Sequence, residues 1–331
     1  MNDHRLLGSA VKRVYLTGGA GFIGSHVVDL LVPQGYQVTV VDNLSNGREE
    51  FIRHHYGKSN FTFINGDVSD LSFVLKTLPG HDLVWHLAAN TDIIGSHARP
   101  ERDLRDCLIA AFNMVEGMRQ LGIQPILFSS TGAVYGDLCK DRLVNETAGP
   151  LLPQSTYAAG KISSEAFIAC YCNLYGLRAW MFRFGNVLGA RMTHGVIFDF
   201  INKLRKNPDE LLILGDGTQS KNYFLVEDCI GGMSWAFQNV QLDEKRPVEL
   251  LNLGTTTTTR VTEIGRIVIE EMGLAGRTQV KIAGTPRAWP GDQPKVNFAV
   301  DKINGMGWHA PRSSDESVRT AIRRMLGKTD R

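Results

Sequence analysis

Short apolar runs alternate with longer amphipathic stretches along the first half of this chain. Apolar runs bounded by turn-forming residues predict buried strands, and apolar residues three or four positions apart predict helices with one buried face. The predicted strands are Val14–Leu16, Tyr36–Val41, Phe61–Asn65, Asp82–His86 and Pro125–Ser129. Because helix-forming stretches separate these strands, we predict an α/β fold built on a doubly wound parallel sheet.

Two long helices complete this half of the chain. The spacing predicts one helix over about Glu101–Leu121 and another that starts near Tyr157. In the first helix we expect five apolar side chains to lie in the core: Leu104, Leu108, Ala111, Val115 and Met118.

The pattern changes after a sixth strand, which ends near Arg183–Asn186. Later elements are predicted as a helix over Gly195–Lys206, a strand and turn over Ile213–Gly217, a strand over Glu249–Leu253 and a helix over Val261–Met272. We interpret residues 1–185, with a return segment of about 222–254, as a cofactor-binding domain. Residues 186–221 and 255–331 then form a smaller C-terminal α/β lobe that binds the substrate.

Three glycines stand three residues apart between the first strand and the first helix: Gly18, Gly21 and Gly24. The first allows a tight turn, the second lets a diphosphate approach the backbone, and the third lets the helix pack closely on the strand. The first N–H groups of that helix, around Phe22 and Ile23, form an anion site. A glycine-rich turn is often only a turn, but the strand before it and the helix after it favour a Rossmann-like dinucleotide site.

An aspartate ends the second predicted strand. Asp42 lies 18 residues after Gly24, where a carboxylate accepts hydrogen bonds from the ribose diol of adenosine. The same carboxylate repels a 2′-phosphate, so the sequence favours NAD over NADP. We count the neighbouring Asn43 as part of this site.

A second aspartate follows the third predicted strand. Asp67, with Val68 after it, lies where a loop at the sheet edge can accept a hydrogen bond from an adenine amine. The alternative is that Asp67 caps the helix that follows, although Asp70 or Ser69 can do that equally well.

Composition excludes several classes of function. The 331 residues carry 36 basic and 34 acidic side chains without a basic run, so nothing argues for a nucleic acid or an anionic membrane surface as a partner. The five cysteines have no metal-finger spacing, and we expect no metal site. No apolar run approaches membrane-spanning length and the first residues lack the apolar core of a signal peptide, so we expect a cytoplasmic protein.

A tyrosine and a lysine form a second chemical motif. Tyr157 and Lys161 are four residues apart, so on a helix the phenol and the ammonium share a face. A nearby ammonium stabilises a phenolate and lowers the tyrosine pKa, and the positive charge of an oxidised nicotinamide lowers it further. Such pairs also occur on ordinary surfaces, but this one follows a dinucleotide motif.

Two strand ends also point to the cofactor edge of the sheet. After His86, small residues let the backbone of Leu87, Ala88 and Ala89 lie along a cofactor, whereas His86 alone is more often a packed polar residue than a catalyst. The fifth strand delivers Ser129 and Thr131 to the same edge, where open α/β sheets bind ligands.

Together these motifs resemble the extended short-chain dehydrogenase/reductase superfamily, and more closely its nucleotide-sugar epimerase/dehydratase branch. The resemblance covers nearly the whole chain. The motifs are specific for the superfamily, less specific for nucleotide-sugar substrates, and least specific for the identity of the sugar. It rests on Thr17–Gly24 (TGGAGFIG), Asp42–Leu44 (DNL), Gly66–Asp67, His86–Ala89 (HLAA), Ser129–Gly136 (SSTGAVYG), Tyr157–Lys161 (YAAGK), Arg183–Gly189 (RFGNVLG), Gly215–Asp228 (GDGTQSKNYFLVED) and Pro290–Asp292 (PGD).

The resemblance implies roles for individual residues. Tyr157 acts as the acid/base, Lys161 bridges the nicotinamide ribose, and Thr131 bonds to the reacting hydroxyl. The cofactor-binding candidates are Gly18, Gly21, Phe22, Ile23, Gly24, Asp42, Asn43, Asp67, Val68, Leu87, Ala88, Ala89, Ser129, Tyr157 and Lys161. The substrate-binding candidates are Thr131, Asn186, Val196, Lys221 and Arg287.

The chain departs from the family pattern at three places. Sugar-nucleotide 4,6-dehydratases carry Asp-Glu after the threonine, and decarboxylating relatives tend to carry a glutamate, but this chain has Gly132 and Ala133, which cannot titrate. Lys221 stands where relatives carry an arginine that reaches the diphosphate, and a lysine lacks the bidentate fork. The phosphate-binding arginine before the PGD motif is replaced by Trp289, so Arg287 is the candidate.

The resemblance implies an NAD-dependent epimerase that inverts C4 of a nucleotide sugar, a UDP-hexose, through a 4-keto intermediate. The enzyme alternatives are a nucleotide-sugar reductase or dehydrogenase, which releases reduced cofactor, and a dehydratase. An NAD-sensing scaffold protein is the alternative without catalysis, and the retained Thr131, Tyr157 and Lys161 argue against it. A homodimer through the helices near residues 101–121 and 157–174 is implied by the family.

Overall fold

The computed structural model describes residues 6–285, 287–288 and 293–329, apart from the side chains of residues 94 and 141. The chain divides into two compact units. Unit 1 comprises residues 1–134, 155–183 and 230–251, and unit 2 comprises residues 135–154, 184–229 and 252–331. The domain boundaries expected from the sequence stay a prediction. The PGD motif lies outside the described residues.

The strands follow the predicted ones closely in the first half of the chain. They are β1 (Arg13–Thr17), β2 (Gln37–Asp42), β3 (Phe61–Asn65), β4 (Leu83–His86), β5 (Pro125–Thr131), β6 (Arg178–Phe184), β7 (Asn186–Leu188), β8 (Glu210–Ile213), β9 (Ser220–Lys221), β10 (Tyr223–Leu225), β11 (Val248–Leu253), β12 (Thr259–Arg260), β13 (Gln279–Ile282) and β14 (Lys295–Val296).

The helices are α1 (Phe22–Leu31), α2 (Leu71–Thr77), α3 (Ile93–Ser96), α4 (Glu101–Asp103), α5 (Ala110–Leu121), α6 (Leu138–Asp141), α7 (Thr156–Tyr175), α8 (Val196–Lys206), α9 (Val226–Asn239), α10 (Val261–Glu271), α11 (Asp301–Met306) and α12 (Ser314–Met325). None of the helices in the described parts is long and apolar enough to cross a membrane.

The main sheet has seven strands in the order β11-β6-β5-β4-β1-β2-β3. The pairs from β3 through β2, β1 and β4 to β5 are parallel, which requires crossover connections and explains the alternation of strands and helices. The chain order reverses beside β1, where β2 lies on one side and β4 on the other, and ligands bind at such switch points. The predicted doubly wound sheet is confirmed.

The core of unit 1 lies between the sheet and its helices. Its fully buried side chains include Tyr15 and Val84 from the strands and Met114 and Met118 from α5. Burying one such side chain contributes about 1.5–3 kcal/mol to the free energy of unfolding. This core fixes the strand ends on which the candidate site is built.

The long helix predicted over about Glu101–Leu121 is not regular, because a π-helical segment, Leu104–Ile109, joins α4 to α5. A π segment carries more residues per turn, so the side chains shift around the axis relative to the α-helical spacing. The expectation that Leu104 lies in the core is therefore wrong: it is 54% exposed, while Asp103 and Asp106 are buried. Ala111, Val115 and Met118 are buried as predicted, whereas Leu108 is only partly buried.

Unit 2 has its own apolar core, which includes Ile197 and Phe200 from α8, Ile267 from α10 and Ile322 from α12. Its strands are short and form separate small sheets: β10 with β7, β13 with β8, and β12-β9-β14. The substrate-binding candidates Asn186 and Lys221 lie on two of these strands.

Candidate cofactor and catalytic site

The glycine turn between β1 and α1 leaves the start of the helix open. Gly18 has a φ of +71°, and a Cβ there would lie 2.7 Å from the backbone nitrogen of Ala88, so only glycine fits. A Cβ at Gly24 would overlap the carbonyl oxygen of Gly18. Gly21 is the N-cap of α1, and no side chain caps the helix or adds an acid to its first turn. The first N–H groups of the helix are therefore suited to an anion.

Asp42 ends β2 beside this turn and is buried. Its carboxylate accepts hydrogen bonds from the backbone nitrogens of Ala20, at 3.0 Å, and Leu44, at 2.9 Å. Burial raises the pKa of Asp42, although these two hydrogen bonds oppose the rise. The carboxylate holds the glycine turn and the end of β2 together, and its negative charge lies where an adenosine ribose is expected.

Asp67 is not the N-cap of the helix that follows it, α2. Asp70 caps α2 through the backbone nitrogens of Ser72 and Phe73, which settles the alternative left open by the sequence. Asp67 instead accepts hydrogen bonds from Ser69 and from the side chain of Asn43, at 3.1 Å. Burial raises the pKa of Asp67, but these hydrogen bonds lower it by more, so the net pKa shift is downward. Asp67 and Asn43 thus form one polar group at the carboxyl ends of β2 and β3.

His86 is fully buried at the end of β4. Its Nδ1 lies 2.7 Å from the hydroxyl of Thr17, and that hydroxyl accepts a hydrogen bond from the backbone nitrogen of Ala88. Burial, and secondarily the charge of Lys161, lowers the pKa of His86 to about 3. The imidazole is therefore neutral at physiological pH and links the β4 end to the glycine turn.

Tyr157 and Lys161 both lie on α7, which Ser155 caps. Gly160 lets this helix approach the π segment, since a Cβ there would lie 2.9 Å from the Cβ of Cys107 and 3.0 Å from the carbonyl oxygen of Asp103. The same close approach places Cys107 and Asp103 near the Tyr157 phenol.

The pKa of Tyr157 is raised, chiefly by burial and further by Cys107 and Asp103, while a hydrogen bond with Thr131 opposes the rise. The expectation that the ammonium of Lys161 lowers this pKa is therefore wrong for the chain alone.

Lys161 is buried and points towards β5. Its ammonium donates to the carbonyl oxygen of Ser129 at 2.6 Å, approaches the Ser129 hydroxyl at 3.4 Å and lies 4.8 Å from the ring centroid of Phe128. Burial lowers the pKa of Lys161. The ammonium therefore lies at the carboxyl edge of the sheet, next to the strand end that carries Thr131.

Sequence reasoning missed a buried polar network behind these residues. Glu165 binds Arg183 through two hydrogen bonds, of 3.0 Å and 2.6 Å, and accepts a third from Ser130. Asp103 accepts hydrogen bonds from Asn90, at 2.8 Å, and from Thr156. The available signal was position: Glu165 is one helical turn after Lys161, and Ser130 lies between Ser129 and Thr131.

The remaining cofactor candidates line the same strand ends. Leu87, Ala88 and Ala89 are partly exposed after β4, and Phe22 and Ile23 form the partly exposed first turn of α1. Val68 differs, because its side chain is buried in the core and only its backbone remains for a ligand.

The four substrate candidates other than Thr131 belong to unit 2. Asn186 is held in β7 by a backbone hydrogen bond to Asn222, and Lys221 lies partly exposed in β9. Val196 starts α8 and packs against the apolar core, so it has a structural role there. Arg287 lies 3.5 Å from the carboxylate of Asp137.

The chain matches the family model described as the NAD dependent epimerase/dehydratase family over residues 14–254. A putative UDP-glucose 4-epimerase of Methanocaldococcus jannaschii is 31% identical over 93% of this chain and 97% of its own length. The UDP-glucose 4-epimerase of Thermus thermophilus, solved in complex with NAD, superposes with a TM-score of 0.81 at 30% identity, covering 96% of this chain and all of that one.

A decarboxylase is also among the relatives. UDP-glucuronic acid decarboxylase 1 of Xenopus tropicalis is 30% identical over 80% of this chain, which spans only 61% of that protein's length. These comparisons agree with the glycine turn, the uncapped helix start and the Asp42 carboxylate, which fit a dinucleotide.

Proposed function

The chain belongs to the NAD-dependent epimerase/dehydratase family, with NAD as its cofactor, and on that premise we propose that it is a nucleotide-sugar 4-epimerase. The observation that carries the proposal is that Lys161, one helical turn after Tyr157 on α7, donates to Ser129 in the strand that ends at Thr131, with Gly132 and Ala133 directly after Thr131. This arrangement moves a proton at one hydroxyl and holds no further acid or base at the two positions that a dehydratase uses.

In the proposed mechanism, Thr131 and Tyr157 bind the C4 hydroxyl of the sugar. Tyr157 takes the hydroxyl proton and returns it after the 4-keto sugar has turned about its diphosphate linkage. The chemistry that the bound dinucleotide supplies is reversible hydride transfer at C4, and its oxidised ring adds a positive charge that favours the phenolate. Since burial raises the pKa of Tyr157 in the chain alone, the phenolate forms only in the complex.

Other residues hold the cofactor and the nucleotide sugar. The α1 start binds the cofactor diphosphate, Asp42 binds the adenosine ribose, and Lys161 reaches the nicotinamide ribose from its position beside Ser129. Lys221 and Arg287 supply positive charge for the sugar-nucleotide diphosphate, and Asn186 and the first turn at Val196 contact the nucleotide. We take UDP as the nucleotide because the epimerases to which this chain is similar carry it in their names.

The test is to supply the purified protein with UDP-glucose or UDP-galactose and to follow the products by chromatography and NMR. An epimerase interconverts the two without net change in absorbance at the NADH wavelength, whereas a reductase or dehydrogenase accumulates or consumes NADH. Mass loss of one water would identify a dehydratase and contradict the proposal. Turnover of no nucleotide sugar despite tight NAD binding would favour the scaffold function.

A decarboxylase is the second candidate function, because curated relatives carry that activity in their names. The absence of a glutamate at Gly132 and Ala133 argues against it. UDP-glucuronic acid separates the two reactions: an epimerase yields UDP-galacturonic acid of unchanged mass, while a decarboxylase releases carbon dioxide.

We further propose a cytoplasmic homodimer. Partly exposed apolar side chains on the π segment and α7 support a dimer interface: Leu104 at 54%, Ile109 at 38%, Phe167 at 43% and Leu174 at 66% exposure. Light scattering at micromolar concentration is expected to give a molar mass of two chains. Leu174→Lys is expected to lower that mass towards the mass of a single chain.

A further inference from the structure

Two histidines and an aspartate, none of them among the cofactor candidates, converge on one point of unit 1. Asp29 lies on α1, and His54 and His55 lie in a short 3₁₀ turn, Arg53–His55, in the connection between β2 and β3. The Nε2 atoms of both imidazoles lie 2.7 Å from the same oxygen, Oδ1 of Asp29. The three possible ligand atoms all lie within 4.8 Å of one another.

We propose that Asp29, His54 and His55 form a binding site for a divalent transition-metal ion of the zinc type. Two imidazole nitrogens and a carboxylate oxygen are ligands that Zn²⁺ prefers, and three protein ligands leave a fourth position for water. Tetrahedral ligands at zinc distances lie about 3.3 Å apart, so each separation of 2.7 Å between an imidazole nitrogen and the Asp29 oxygen has to widen by only about half an ångström.

The burial of the three side chains suits such a site. The His55 side chain is 3% exposed and packs beside Phe61 at the start of β3, with 5.5 Å between ring centroids. Asp29 is 30% exposed and His54 is 50% exposed. One ligand is thus fixed by packing, while the side towards His54 is open for an ion to enter.

Lys58 decides how strongly the site binds. Its ammonium lies 2.9 Å from Nδ1 of His55, and because an ammonium only donates, Nδ1 accepts and Nε2 carries the proton that it gives to Asp29. A metal on Nε2 requires that proton to move to Nδ1, where it would face the ammonium. The exposed Lys58 must then swing away, so it weakens the site. A carboxylate at position 58 would instead accept the new Nδ1 proton, as carboxylates do behind many metal-bound histidines.

The position of the cluster gives the ion a structural effect. It ties α1, whose start is the glycine turn, to the connection that begins next to Asp42. A bound ion would therefore hold the β2–β3 connection against α1. The adenosine end of the proposed cofactor site lies at the ends of the same two strands, at Asp42 and Asp67.

The experiment is a calorimetric titration of the untagged, chelator-treated full chain with Zn²⁺. We expect one ion per chain, with an affinity that falls more than about 10-fold in His54→Gln and in Asp29→Asn and rises about 10-fold in Lys58→Glu. His97→Gln is the matched control, because His97 is an exposed histidine of the same unit outside the cluster. The His97→Gln variant should bind Zn²⁺ with the affinity of the parent protein.

Two further measurements keep the test independent of folding and catalysis. Circular dichroism without metal should be the same for His54→Gln and the parent, since His54 is half exposed, and Co²⁺ should give the visible absorption of a tetrahedral site only in the parent. Absence of saturable binding up to about 100 μM Zn²⁺ would overturn the proposal, and so would an affinity unchanged by His54→Gln and Asp29→Asn together. Neither outcome depends on the epimerase activity.

Discussion

The candidate residues of unit 1 and those of unit 2 are held by the chain in different ways. In unit 1, Asp42, His86 and Lys161 are each no more than 8% exposed and have hydrogen-bond partners at or beside the end of a strand. In unit 2, Lys221 is partly exposed on a two-residue strand, and Arg287 is 38% exposed with its carboxylate partner 3.5 Å away.

This difference matches the roles proposed for the two units, since unit 1 holds the cofactor and the proton-transfer residue Tyr157, while unit 2 holds the sugar-nucleotide diphosphate. A group that moves a proton has to be fixed within a fraction of an ångström, and regular elements with buried partners provide that. A group that holds a diphosphate by charge tolerates movement, so short strands and loops are sufficient. Changes in unit 1 should therefore have larger effects than changes in unit 2.

The largest effect is expected at Tyr157. Tyr157→Phe keeps the ring and removes the oxygen that takes the proton, so turnover of the proposed substrate should fall by about 10²–10⁴-fold. Binding of NAD and of the nucleotide sugar should change little when measured by calorimetry. Activity close to that of the parent protein would show that the proton is moved by another residue.

Lys161→Met should lower turnover by about 10²-fold and also weaken NAD binding, unlike Tyr157→Phe. The change removes the ammonium bonded to Ser129 and the proposed ribose contact. Steady-state kinetics and NAD titration separate the two effects. Unchanged NAD affinity would remove Lys161 from the cofactor site.

His86 should make the protein sensitive to mild acid. Its pKa is about 3 in the folded chain against about 6.5 in an unfolded one, so the unfolded state binds more protons as the pH falls below 6.5. The contribution of the neutral His86 to the free energy of unfolding is therefore fully present above pH 6.5, and it is lost as the pH falls below that value. From this group alone, the free energy of unfolding should be about 2 kcal/mol lower at pH 5 than at pH 7.

The measurement for His86 is urea unfolding at both pH values, with His86→Gln as the comparison. The variant should show a pH dependence smaller by that amount. In the folded parent, the imidazole signals of His86 should not titrate between pH 7 and pH 5 in an NMR experiment, and titration there would contradict the prediction.

Asp42 should determine the choice of cofactor. Ala20 and Leu44 donate to different oxygens of Asp42, so Asp42→Asn retains an acceptor for only one of them. Because the change also removes the negative charge, the preference for NAD over NADP should shrink by about 10-fold. Dissociation constants for both cofactors test this. A parent protein that binds NADP more tightly than NAD would refute the role of Asp42.

The smallest effect is expected in unit 2. Lys221→Arg restores a bidentate fork and should tighten binding of the nucleotide sugar by about 2-fold, while Lys221→Met should weaken it by about 5-fold. Both should leave the maximal turnover rate unchanged. A fall in that rate as large as for Lys161→Met would mean that the two units do not divide the work as argued above.

The sequence by itself determined the parallel sheet, the glycine turn and the placement of Tyr157 and Lys161 on one helix. These features depend on local causes: apolar periodicity, a backbone conformation open only to glycine, and the four-residue spacing along a helix. Asp42 was predictable for the same reason, since it ends a strand at a known spacing from Gly24.

Only the tertiary structure decided the electrostatics and the partners of these groups. The raised pKa of Tyr157 comes from burial and from Cys107 and Asp103, which are distant in sequence and are brought close by packing at Gly160. The π segment likewise changed which side chains face the core, because its wider turns rotate the residues at its start, such as Asp103 and Leu104, relative to Ala111, Val115 and Met118 after it. Local spacing carries no information on such contacts, since desolvation depends on what the folded chain places around a group.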